Sequence, residues 1–99
     1  MFNFLDARPA IKFGSEMAHI YIEKMPPTLA LKQKQFALKS TRVLEQISLK
    51  IISYKNFNSI NTYKVAQMAN SFKWDLKDAG YEDDYINQLT QWFITSVKK

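Results

Sequence analysis

Apolar residues recur along this chain at helical rather than strand spacing. From residue 28 to 54 no glycine or proline intervenes. At 100° per residue, Leu29, Phe36, Val43, Leu44, Ile47, Ile51 and Tyr54 fall on one stripe of a helix. Leu31, Leu38 and Leu49 fall on a second, nearly opposite stripe, with Ile52 beside it. Lys32, Gln35, Lys39, Arg42, Gln46 and Lys50 fill a polar stripe between the two. The pattern predicts one long helix over 28–54, capped by Thr28. Two apolar stripes place such a helix centrally, with neighbours on both sides, or leave one stripe for a partner.

The other segments are shorter. Pro9 suits a first helical turn and Asp6 a cap before it. Gly14 then breaks the pattern, and Ser15 serves as a second N-cap for a helix over 16–24. Met17, Ala18, Tyr21 and Met25 share one face of that helix. This leaves residues 1–14 open, as helix or as an N-terminal arm. Pro26-Pro27 is the first clear break and residues 56–61 the second. A third helix is expected over 62–79, capped by Asn61 or Thr62. Its core face is Val65, Met68, Ala69, Phe72, Leu76 and Ala79, and Gly80 ends it in the left-handed region. A fourth is expected over 82–97. Glu82, Asp83 and Asp84 lie at its positive end and Lys98 and Lys99 at its negative end. Its apolar face is Tyr85, Ile86, Leu89, Trp92 and Phe93.

Charge changes the picture in one place. The formal net charge is +5 over 99 residues. Residues 1–27 carry three basic and three acidic groups, and residues 58–99 carry five of each. The whole excess therefore lies in 28–57, where Lys32, Lys34, Lys39, Arg42, Lys50 and Lys55 face Glu45 alone. A basic segment of this kind attracts acidic protein, nucleic acid or an anionic membrane, or is a solvated face. Two apolar stripes and no tryptophan at the helix tips count against the membrane.

Candidate chemistry is sparse. With no cysteine and one histidine, thiolate zinc sites, iron–sulfur clusters, disulfides and multi-histidine metal sites are excluded within one chain. Two glycines cannot build a phosphate loop. His19 lies on the polar side of its helix without an evident nucleophile, and reads as a surface or boundary residue. Glu82-Asp83-Asp84 point three ways from a helix start and read as dipole caps, not metal ligands. Ala66, Asn70, Leu76 and Ala79 fit a helix-turn-helix spacing loosely. Polar Ser71 after the turn, and Asp75 and Asp78 on the reading helix, favour one continuous helix instead. Neither a catalytic site nor a cofactor or metal is expected.

What remains is apolar surface left over after one core is built. Trp74 and Tyr63 point away from the core face of the third helix, and Trp74 serves either as an interface anchor or as cover for Phe2, Phe4, Leu5, Ile11 and Phe13. The expectation is a single all-α domain over residues 1–99, a small four-helix bundle with one long central basic helix and an N-terminal arm. Its expected role is that of a non-catalytic protein-binding module: a small adaptor, regulator or inhibitor. The expected contacts are Lys32, Lys39, Arg42, Lys50 and Trp74, and the partner is an acidic protein surface or a second copy. Sequence-independent nucleic-acid binding through the same basic stripe is the alternative. The first residues lack a basic, then apolar, leader. Together with the absence of cysteine, this makes the cytoplasm the expected compartment.

Overall fold

A computed structural model describes residues 6–99. Four helices make up most of it: α1 (Arg8–Lys24), α2 (Gln33–Phe57), α3 (Thr62–Ala79) and α4 (Asp83–Lys98). No strand occurs among the described residues.

Local signals set most boundaries. Asn61 caps α3, its Oδ1 accepting from the Lys64 amide at 2.8 Å. Gly80, at φ 102°, ends α3 by donating its amide to the Leu76 and Lys77 carbonyls. Pro9 lies in the first turn of α1, where its missing N–H costs nothing. Asp6 accepts from the Arg8 amide at 3.1 Å just ahead of that turn.

Three boundaries differ from expectation. Gly14 does not interrupt α1, which runs unbroken from residue 8, so residues 8–14 are helix. Residues 1–5 lie outside the described residues, and the expected cover of Trp74 by Phe2, Phe4 and Leu5 lies there with them. Ser15 is accordingly a mid-helix residue rather than an N-cap. Thr28 does not start α2. The Leu29 amide donates to the Pro26 carbonyl at 2.9 Å, closing a turn, and residues 29–32 are needed to carry the chain across to the start of α2 at Gln33. At its far end α2 runs on to Phe57, and Asn58 Nδ2 donates to the Tyr54 carbonyl at 2.9 Å beyond it.

Packing explains Gly14. A Cβ there would collide with the Met68 carbonyl and the Ser71 hydroxyl of α3. The glycine lets the two backbones approach, and Ser71 Oγ then reaches the Ile11 carbonyl at 2.8 Å. His19 meets Asp75 and Met25 meets Tyr81 further along. These pairings advance together in sequence, so α1 and α3 run parallel. Their contact is the most extensive in the molecule. The helices form a ring in the order α1, α3, α4, α2, with α2 facing α3 across a diagonal.

One ring from each helix builds the centre. Phe72 stacks on Phe93 with centroids 4.4 Å apart and planes 4° apart. Phe13 stacks on Tyr54 at 4.2 Å and reaches Phe93 at 6.5 Å. Around this column Met17, Tyr21, Met25, Ile47, Ile51, Met68, Leu76, Ile86 and Val97 are buried. Among the described residues no polar or charged residue is buried.

Candidate functional site

The long helix is the least buried of the four. In its 25 residues only Val43, Ile47 and Ile51 are buried, one residue per turn at i, i+4 and i+8. Phe36, Leu44 and Tyr54 pack partly against the same core. The second stripe stays in solvent, with Leu38 54%, Leu49 68% and Ile52 57% exposed. Leu31, just before the helix, is exposed as well. The structure thus separates the two stripes seen in the sequence into a core stripe and an open one.

The open stripe borders a groove between α1 and α2. Its wider part, about 530 Å³, takes in Lys24, Leu31, Leu38, Lys39 and Arg42. A narrower part of about 330 Å³ continues past Ile20, Leu49 and Lys50. Lys24 and Gln46 line both parts, so they form one surface. Four cations lie along it, and none makes a hydrogen bond or ion pair among the described residues. Free cations beside exposed leucines allow a contact that is both steered by charge and held by apolar burial.

The structure brings together three of the five contact residues expected from sequence. Lys39 and Arg42 line the wider part and Lys50 the narrower. Lys32 is exposed at the N-cap of α2 but lines neither. Trp74 is 51% exposed on α3, the helix diagonal to α2, and faces away from the core residues of its own helix. Its indole N–H donates to Asn70 Oδ1 at 3.1 Å, and Lys77 Nζ sits 5.5 Å from its ring centroid. Those neighbours occupy both its polar atom and one face.

Two contributors from α1, Lys24 and Ile20, do not show in the sequence pattern, and neither does exposed Phe57, which lies on α2 outside both parts of the groove. Lys24 joins the surface from α1, because α1 and α2 lie side by side. Periodicity within one helix carries no signal of that. Phe57, 84% exposed, extends α2 where a loop was expected. The run of asparagines around it favours a loop, while the helical register of α2 carries on through it.

His19 lies where the polar face of its helix placed it, on the α1–α3 seam. Its Nε2 is 3.2 Å from Asp75 Oδ2, and the Ser15 hydroxyl donates to that same oxygen. The carboxylate thus stands between serine and histidine, which would have to touch each other for the imidazole to take the serine proton. What this arrangement does is tie α1 to α3. The α3 helix passes through Asn70 without a turn, so the helix-turn-helix spacing is one continuous helix. No helix among the described residues is long and apolar enough to cross a membrane.

Comparison with protein-family models, curated proteins and solved structures gives no match to this chain. The fold itself defines an architectural class: a small all-α bundle with one long helix left half open.

Proposed function

We propose that this protein is a non-catalytic binding module that receives an acidic, apolar-faced protein segment on the α1–α2 surface. The observation that carries the reading is the row Leu31, Leu38, Leu49 beside Lys24, Lys39, Arg42 and Lys50. Full burial of a fully exposed leucine stabilises a contact by about 1.5–3 kcal/mol, so covering the open parts of Leu31, Leu38 and Leu49 contributes to affinity, and the polar and charged contacts around them must help offset the cost of association. Unpaired cations raise the rate at which an acidic partner arrives. A second copy docking by the same face would set four cations against four, which disfavours a symmetric dimer here.

Nucleic acid is the second reading, since the same four cations would serve phosphates. Phosphate contacts make no use of the leucines, which is why the protein partner ranks first.

The test has two arms. Photo-crosslinkers placed at Leu38 and Leu49 in cells, with a control at Glu16, should trap a protein specifically at the first two positions. Once purified, that protein should bind Leu38→Glu at least tenfold more weakly than the parent chain, and Lys39→Glu/Arg42→Glu should slow its association. The second arm is titration of random duplex DNA at about 50 and 200 mM salt. If four cations each neutralise a phosphate, affinity falls roughly a hundredfold between the two. That result, with no protein trapped, would overturn the first reading in favour of the second.

A further inference from the structure

The end of the bundle where α1 and α3 finish holds a cleft separate from the α1–α2 groove. Pro26, Pro27, Phe36, Tyr81, Glu82 and Tyr85 line most of its volume of about 350 Å³. That is at the small end of the range of roughly 300–1,000 Å³ for ligand sites. Its three rings are inclined to one another and do not stack. Tyr81 and Tyr85 have centroids 5.8 Å apart and planes at 39°, and Phe36 and Tyr85 are 6.2 Å apart at 55°.

Both phenol groups are used inside the protein. Tyr81 donates its hydroxyl to the Met25 carbonyl at 2.5 Å. The Tyr85 hydroxyl pairs with that of Tyr21, which lies 3.0 Å from Ser40 Oγ. Burial pushes Tyr81 up to about 12 and raises Tyr85 too, so neither ring carries charge at neutral pH. The cleft thus offers the rings of Phe36, Tyr81 and Tyr85, further polar and proline surface, and one formal charge, that of Glu82. This residue occupies the N-cap position of α4, yet its side chain makes no capping bond and no ion pair among the described residues. The negative ends of α1 and α3 converge on the cleft. Lys24 and Lys77 lie in the last turns of those two helices, and the positive ends of α2 and α4 are at the cleft as well, that of α4 offset by Asp83 and Asp84 and that of α2 without an acid in its first turn.

We propose that this cleft binds a quaternary ammonium group, held by the ring faces of Phe36, Tyr81 and Tyr85 and by the charge of Glu82. Such a cation has no N–H to satisfy and leaves water cheaply, so a cup of ring carbon suits it better than it suits a hydrated primary amine. A neutral apolar ligand would gain nothing from Glu82.

The test uses the full chain and aromatic carbon–proton NMR. Choline, trimethyllysine and 3,3-dimethylbutan-1-ol (the neutral isostere of choline) are titrated separately to about 20 mM, a range that reports even weak association. Choline or trimethyllysine should shift the Phe36, Tyr81 and Tyr85 signals, and whichever binds tighter identifies a small-molecule or a protein-borne source. The neutral isostere should bind at least fivefold more weakly. Glu82→Gln should weaken the cations threefold or more and leave the isostere unchanged, while Phe36→Leu, its helix content checked by circular dichroism, should weaken the cations more than the isostere. Equal binding of cation and isostere, indifference to Glu82→Gln, or no shift with either cation would overturn the proposal.

Discussion

Gly14 shows how one residue can mislead locally and decide globally. In an isolated helix, alanine would be better there by about 1 kcal/mol. In this molecule the added methyl meets a backbone carbonyl of α3, which can yield only if the helices separate. Overpacking of this kind costs about 1–3 kcal/mol, so Gly14→Ala should lower the melting temperature by several degrees despite the helix gain. Calorimetry checks this, and an unchanged or higher midpoint would show that the seam gives way easily. Asp6 offers a prediction of a different kind. The side-chain hydrogen bond from Arg8 (2.9 Å to each carboxylate oxygen), and then its backbone amide, hold the Asp6 carboxyl down at about 2, against an ordinary 3.8. A depressed carboxylate stabilises the fold above its unfolded value and loses that contribution as pH falls toward 2. The contribution is small because the pair is exposed. In an NMR pH titration the Asp6 carboxyl should show a midpoint near 2, moving back toward 3.8 in Arg8→Ala.

At the scale of the element, α2 is the informative case. Its buried residues lie between Val43 and Ile51, so its first ten residues are held chiefly by Phe36 and by the Ser40 hydroxyl on Tyr21. Amide exchange should therefore be faster over 34–42 than over 43–51, by tenfold or more. Uniform protection along the helix would contradict this. Sequence legibility follows the same division. Asn61, Gly80, the acids at the start of α4 and the periodicity of α3 act locally, and they set those helices to within a residue. The continuity of α1 through Gly14 and the start of α2 depend on what the chain meets in space: a carbonyl of α3 at Gly14, and a crossing that must be bridged before Gln33. Neither can be read from spacing. The same holds for the candidate surface. Its α2 residues were legible as stripes on one helix. Lys24 was not, because it joins them through the neighbour relation of α1 and α2, and Trp74 belongs to a helix across the diagonal.

At the scale of the whole molecule, charge and exposed apolar area coincide on one side. The net charge of +5 resides in residues 28–57, and four of the exposed large apolar residues, Leu38, Leu49, Ile52 and Phe57, are on the same helix. The acids of α3 and α4 lie on other helices, which gives the molecule a basic flank in place of an evenly mixed surface. The ring order of the helices has a kinetic side as well. The most extensive contact joins α1 to α3, and its partners, such as Ile11 with Ser71 or Ser15 with Asp75, are 60 residues apart in the chain. Closing so long a loop must precede any reward from that seam, which slows folding relative to a bundle of sequential hairpins. On the ribosome, α1 would emerge well before α3, its matching surface, had been made. Throughout that interval the close-approach face around Gly14 would be uncovered, and the nascent chain would need something else to shield it.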